Sequence, residues 1–305
     1  LDRVLDPAQI EALASRSIPR LILPARDVYA ARARRLAALA PGHAISGYLA
    51  LAARVATAQQ AALDAWSPLG PGEAETAAAR DHSMPVLPAL GMRRDPQWRQ
   101  VLRTLVAVVA VDPDLPSAVR EVCATLGSQD DLRLEERAAR VLEATGKDPD
   151  PAGAVFIAAA LGVLWTALAM RLSPSQVALP QTPGPCPVCG TAAVASIVRS
   201  QAPYGGYRYL CCGLCATQWH RVRVECTQCS ATKSVAYQSI EGAPAAVRAE
   251  TCDDCHGYRK IFYQEHDPAV EALADDLASL SLDLMLTEAG LHRAGANPLY
   301  WQPAG

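Results

Sequence analysis

Residues 186–190 read CPVCG, residues 211–215 read CCGLC, residues 226–229 read CTQC, and residues 251–255 read TCDDC. Cys186 and Cys189 form one C-x-x-C, and twenty-two residues later Cys212 and Cys215 form a second. After ten more residues the pattern restarts with Cys226 and Cys229, and a further twenty-two lead to Cys252 and Cys255. The spacing is that of a tandem repeat with a forty-residue period. A C-x-x-C turn sets two sulfurs about one tetrahedral edge apart, and two such knuckles complete a four-sulfur cage suited to zinc or a single iron. Twenty-two residues suffice for a hairpin between knuckles, as in zinc ribbons and rubredoxin-like folds.

Pairing within each repeat follows its symmetry, although the second and third knuckles, joined by ATQWHRVRVE, are close enough to share a metal instead. Gly190, directly after Cys189, suits the knuckle turn. Cys211 is left over beside Cys212, as a strand residue next to the site or as a spare or redox-active thiol. Cys123, in EVCATLG, reads as a small buried helix residue. Each cage would also supply folding energy, because eighty residues with few large apolar side chains make a poor core unaided.

The start, LDRVLDPAQIEALA, carries acids early and lacks the charged-then-apolar order of an export leader. The expectation is a reducing compartment, where paired cysteines hold metals more often than disulfides. Half of the 305 residues are hydrophobic and the net charge is −3, so the chain as a whole is not a polyanion binder by simple electrostatics.

Residues 1–172 read as an all-α domain. Asp6-Pro7 signals a helix start, and RDVYAARARRLAALA (26–40) stops at Pro41-Gly42. AISGYLALAARVATAQQAALDAW (44–66) and PQWRQVLRTLVAVVAV (96–111) follow. LPSAVREVCATLG and DDLRLEERAARVLEATG each close on a glycine. AGAVFIAAALGVLWTALAM (152–170) carries no charge and is long enough to span a membrane, but its Ala and Gly content fits a core helix, and no membrane insertion is expected. Residues 173–185, with Pro174, Pro180, Pro183 and Pro185, form an extended linker.

Beyond the linker the pattern shortens and alternates: VASIV (194–198), YRYL (207–210), WHRVRVE (219–225), KSVAYQSI (233–240) and YRKIFY (258–263) read as small antiparallel strands. The expected architecture is multi-domain. A mainly α N-terminal domain precedes a small α+β or β tandem rubredoxin-like (zinc-ribbon-like) module, with repeats at 186–225 and 226–265. Residues 266–305 supply an amphipathic C-terminal helix over DPAVEALADDLASLSLDLMLTEAG, then a tail.

Arg199, Arg208, Arg221, Arg223, Lys233, Arg248, Arg259 and Lys260 are interspersed with Trp219, Tyr207, Tyr209 and Tyr258. That mixture occurs on nucleic-acid surfaces, but acids dilute it, so it reads as a solvated strand face and nucleic acid is not an expected partner. His220 and His256 flank knuckles without being needed as ligands, and His43 and His82 have no evident partners. The acids of the last helix read as a solvated face, with docking of a basic partner as the alternative. The chain contains no phosphate loop, G-x-S-x-G or H-E-x-x-H, so the first domain reads as a binding scaffold rather than a conventional active site, and no enzyme is expected.

Across nearly its full length the chain resembles the formate dehydrogenase accessory (FdhE-type) proteins of bacteria. The resemblance is carried by LPARDVYAARARRLAALA and GHAISGYLALAARVATAQQ, CPVCG, LCCGLCATQWHRVRVECTQC, CDDC, ALADDLASLSLDLMLTEAG and the terminal NPLYW. It implies a cytoplasmic maturation protein for respiratory formate dehydrogenase that binds the enzyme's molybdenum-containing catalytic subunit before export. It also implies rubredoxin-like iron in preference to zinc, as two metal ions on Cys186, Cys189, Cys212, Cys215, Cys226, Cys229, Cys252 and Cys255. It assigns no catalytic residue. The rival readings are a nucleic-acid-binding zinc ribbon and a stand-alone rubredoxin-like electron carrier.

Overall fold

The computed structural model describes residues 18–143, 150–180 and 184–300. The helix start at Asp6-Pro7 and the closing Gly146 lie outside the described residues, as does part of the linker. Seven helices precede the first knuckle among the described residues: α1 (Val28–Leu39), α2 (Ser46–Ala65), α3 (Glu73–Asp81), α4 (Gln97–Ala110), α5 (Ser117–Ser128), α6 (Asp131–Glu143) and α7 (Pro151–Ala169). Most follow the apolar spacing. α3 escaped it because EAETAAARD is almost wholly polar or alanine, and it buries only Thr76. Gly127 lies inside α5 rather than closing it, and the helix ends where Gln129 turns extended.

α7 is long and apolar enough to cross a membrane, yet its apolar window is 89% buried inside the protein. Asp150 caps it by accepting from the Gly153 N–H, and Pro151 occupies its first turn. Its few polar groups are satisfied. The Trp165 indole donates to the Leu87 carbonyl (2.9 Å), Thr166 Oγ1 lies 3.0 Å from the Tyr29 hydroxyl, and Gln59 donates to the Ala159 carbonyl. α7 is therefore the centre of the helical packing, as the Ala- and Gly-rich composition suggested.

Among the described residues eight strands form one sheet: β1 (Leu21–Ile22), β2 (Ala193–Val198), β3 (Arg208–Cys212), β4 (Gln218–Arg221), β5 (Val235–Gln238), β6 (Val247–Cys252), β7 (Gly257–Tyr263) and β8 (His292–Arg293). Its order is β1-β4-β3-β2-β7-β6-β5, with β8 also paired to β7. Adding forty to β2, β3 and β4 lands on β5, β6 and β7, so each repeat is a three-stranded antiparallel unit. The units join head to tail. β2 pairs with β7 in parallel, Ser196 opposite Ile261 and Val198 opposite Tyr263.

Four strands differ from the alternation reading: β1, which joins β4 from within the stretch expected to be all-α, and β8, both only two residues long and so without a period to read, together with β4 and β6. β4 stops at Arg221, because Val222–Cys226 turns into the third knuckle. β6 went unread because VRAETC has little apolar content, although β5 and β7 flank it on both sides.

The stretch expected as one helix is two: α8 (Ala272–Ala278) and α9 (Leu280–Glu288), broken at Ser279. Two side chains bond the carbonyls at the break, the first being Ser279 itself, whose hydroxyl donates to the Asp275 carbonyl (2.7 Å). Lys260 reaches in from β7 and donates to the Asp276 carbonyl (2.5 Å) and the Ser279 carbonyl (3.3 Å). Gly290, at φ +81°, ends α9. The acids of this stretch are not a solvated face. Asp275, Asp276 and Asp283 are all buried. They meet Arg35, Lys260 and Arg293, which also excludes them as a ready docking face for a basic partner.

One apolar core runs across the linker. Trp165, Leu164 and Leu105 from the helices cluster with Cys186, Val188, Cys189, Leu210, Cys212, Cys215 and Trp219 from the first repeat. A second cluster packs Leu36, Leu49 and Ala56 against Ile197, Tyr209, Phe262, Leu273 and Leu277.

Candidate metal centres

The cysteines assemble within each repeat. Cys186, Cys189, Cys212 and Cys215 form one group and Cys226, Cys229, Cys252 and Cys255 the other, the sulfurs of each lying within 4.8 Å of one another. The second and third knuckles fall in different groups. In the first group the Sγ atoms of Cys186 and Cys215 are 3.5 Å apart, and those of Cys189 and Cys212 are 3.4 Å apart. In the second the matching separations are 3.8 Å for Cys226–Cys255 and 3.6 Å for Cys229–Cys252. A metal with sulfurs at about 2.3 Å needs a tetrahedral edge of about 3.8 Å. The donor set, four thiols without a competing carboxylate or imidazole, fits zinc or iron equally.

The knuckles are built by backbone. The residue after each C-x-x-C takes a left-handed conformation: Gly190 at φ +79°, Ala216 at +55°, Ser230 at +66° and His256 at +51°. That turn lets successive N–H groups converge on sulfur. The Leu214 and Cys215 N–H groups both point at Cys212 Sγ (3.4 Å), and the Gln228 N–H points at Cys226 Sγ (3.5 Å). The repeats also share the turn's closing bonds. Cys186 N–H donates to the Thr191 carbonyl and Cys226 N–H to the Ala231 carbonyl, both at 2.8 Å.

Helices and first cage are fastened together. Leu87 and Ala89, in the loop before α4, donate to the carbonyls of Val188 and Cys189 at 2.8 Å. Thr166 of α7 donates to the Leu214 carbonyl at 3.5 Å. Two hydroxyls, not anticipated from the sequence, sit among the sulfurs. Thr191 Oγ1 is 3.2 Å from both Cys189 and Cys212, and Thr217 Oγ1 is 3.2 Å from Cys215. Their signal in the sequence is position: each lies two residues after the second cysteine of its knuckle.

The remaining candidates fall elsewhere. Cys211 faces the second apolar cluster, away from both cages, and burial pushes its thiol up to about 12, which keeps it protonated. Cys123 is buried in α5. His220 stacks edge-on against Tyr207 and Tyr209, and burial lowers its pKa. His256 lends its backbone to a knuckle, and its carbonyl accepts from His292 N–H. His43 bridges α8 and α2, its Nε2 lying 2.9 Å from the Ala278 carbonyl.

Much of the basic and aromatic set of the ribbons is interior rather than a solvated face, although Arg223 and Lys233 are exposed. Arg208, Arg259, Lys260, Trp219, Tyr209 and Tyr258 are all buried. Arg208 instead pairs with Glu250 and donates to the Val222 and Glu225 carbonyls. Arg259 donates to Thr227 Oγ1 of the third knuckle (3.1 Å) and to the Ala193 carbonyl of β2. These groups sew the repeats to each other.

The pairing of two such cages in one sheet with a helical front half can be set beside known proteins. Family models described as FdhE N-terminal, FdhE central domain and FdhE C-terminal domain match residues 18–181, 185–223 and 224–300. The chain belongs to the FdhE family. A Stutzerimonas stutzeri protein named an FdhE homolog is 38% identical over 97% of this chain and 96% of its own length. A Pseudomonas putida FdhE homolog is 39% identical over 100% and 96%. The crystal structure of FdhE from Pseudomonas aeruginosa superposes with a TM-score of 0.80 at 36% identity, over 94% of this chain and 100% of that one. The FdhE-family fold is thus the one described here: helices first, then the sheet with two four-cysteine groups, then the C-terminal helices.

Proposed function

We propose that this chain is an accessory protein for respiratory formate dehydrogenase, acting in the cytoplasm by binding the enzyme's molybdenum-containing catalytic subunit. Two metal ions, iron in preference to zinc, are held by Cys186, Cys189, Cys212 and Cys215 and by Cys226, Cys229, Cys252 and Cys255. The observation that carries this reading is the closure of both four-sulfur groups at metal-cage separations in a chain of the FdhE family. Iron in such a cage supplies a one-electron couple. The protein's own part is to hold the sulfurs at fixed separation, to direct backbone N–H groups at them, and to present an assembled surface.

The test uses protein purified without air. Metal analysis and a visible spectrum are expected to give two metals per chain with sulfur-to-iron charge-transfer bands. The catalytic subunit, co-expressed with a tagged chain, is expected to co-purify, and cells lacking the protein are expected to lose formate oxidation. Failure to retain the catalytic subunit overturns the partner, and a colourless two-zinc protein that still restores formate oxidation removes the redox element.

A further inference from the structure

The two cages share a spacing but not a setting. All four cysteines of the first are buried, none more than 1% exposed. In the second, Cys226 and Cys252 are buried, Cys255 is half-buried, and Cys229 is exposed. The first cage is strapped from outside its own repeat by Leu87, Ala89 and Thr166. Its sulfurs also have the hydroxyls of Thr191 and Thr217 within 3.2 Å. Forty residues on, those two positions are Ala231 and Gly257, so the second cage has neither hydroxyl.

These differences act in one direction. A metal leaves a thiolate cage when one thiolate dissociates, takes a proton from solvent, and yields its place to an incoming ligand. In the first cage no sulfur faces water, and the hydroxyls and straps hold the sulfurs where they are. In the second, Cys229 lies at the surface, where an incoming ligand reaches the metal as the thiolate departs. Partners around a metal's ligands commonly change its affinity by about 10- to 100-fold.

We propose that the second cage is an exchangeable metal site, with Cys229 as the dissociating ligand and a chelating ligand from solvent as the incoming one, while the first is a permanent fixture of the core. This rests on the reading that both cages hold metal. The exchange involves no oxidation: the metal–sulfur bond to Cys229 breaks, a bond from the metal to the incoming ligand forms, and the freed Cys229 takes a proton from solvent.

The test takes the full chain reconstituted with Zn(II) under reductant and counts metal before the challenge. EDTA is then added with N-ethylmaleimide, and zinc content and alkylated cysteines are followed together in time by mass spectrometry. One zinc is expected to leave at least about ten-fold faster than the other. Labelling should begin at Cys229 and spread to Cys226, Cys252 and Cys255 while Cys186, Cys189, Cys212 and Cys215 stay protected. Cys229→Ser is expected to retain a single zinc, and Ala231→Thr, which restores the hydroxyl position of the first repeat, to slow the fast release. Equal release from both cages, or earlier labelling of the first, overturns the inference and leaves the two-metal reading standing. A chain that takes up no zinc or iron overturns both.

Discussion

Arg208 of the first repeat and Glu250 of the second form an ion pair with both side chains buried. Burial raises the Glu250 carboxyl, and Arg208 opposes that rise. Arg259 is close by, its own pKa lowered to about 10 by burial. The two repeats are thus joined by charge as well as by the β2–β7 strand pair. Glu250→Gln, which leaves the buried Arg208 guanidinium without its carboxylate, is expected to cost about 3–5 kcal/mol in chemical denaturation. Arg208→Met with Glu250→Leu is expected to recover part of that loss, and a double mutant no better than the single one would refute the pairing as the cause.

The C-terminal stretch depends on a second buried network. Lys260 contacts Asp276 (3.2 Å) and Asp283 (2.6 Å), Arg293 reaches both acids, and Asn297 donates to Asp276. Burial raises the Asp276 carboxyl, but Lys260 and Arg293 outweigh it and leave the pKa lowered. A lowered folded pKa means stabilisation present above the unfolded value of about 3.9 and lost as pH falls through the folded value. Asp276→Asn is therefore expected to destabilise by about 3 kcal/mol or more at neutral pH. The gap from wild type should narrow at acid pH, as measured by thermal melts across that range.

Cys211 offers a sharp contrast with its neighbour. Cys211→Ser buries a hydroxyl in an apolar cluster and is expected to lower stability by about 1–3 kcal/mol with metal content unchanged. Cys212→Ser is expected to lose the first cage's metal. Equal metal loss in both variants would place Cys211 among the ligands.

Removal of metal should not stay local. Cys186, Cys189, Cys212 and Cys215 belong to the same apolar cluster as Trp165 and Leu105. Stripping the first cage with a chelator under reductant is expected to lower the helical melting temperature by at least several degrees. Loss of the second metal alone should leave the helices nearly unchanged. Circular dichroism during stepwise chelation separates the two.

Much of this was legible in the residues. The cages follow from cysteine spacing, and α7 from its charge-free run, because covalent spacing and helical period are local properties. What escaped is non-local. Asp275, Asp276 and Asp283 look solvated until Arg35, Lys260 and Arg293 arrive from distant segments, and Arg208, Arg259 and Lys260 look exposed for the same reason. VRAETC becomes a strand through its neighbours rather than its composition. At Ser279 the helix is broken where Lys260 comes in from β7 to reach its carbonyl.

The parallel seam also sets an order of events during synthesis. Ser196 meets Ile261, a residue made sixty-five positions later, so β2 has an open edge until β7 has left the ribosome. The strand in waiting is AVASIV, uncharged and wholly buried in the finished protein. Such an edge invites pairing with a neighbouring chain. A nascent or truncated chain that ends before Gly257 is for that reason an aggregation hazard, and release of the second repeat is what retires it.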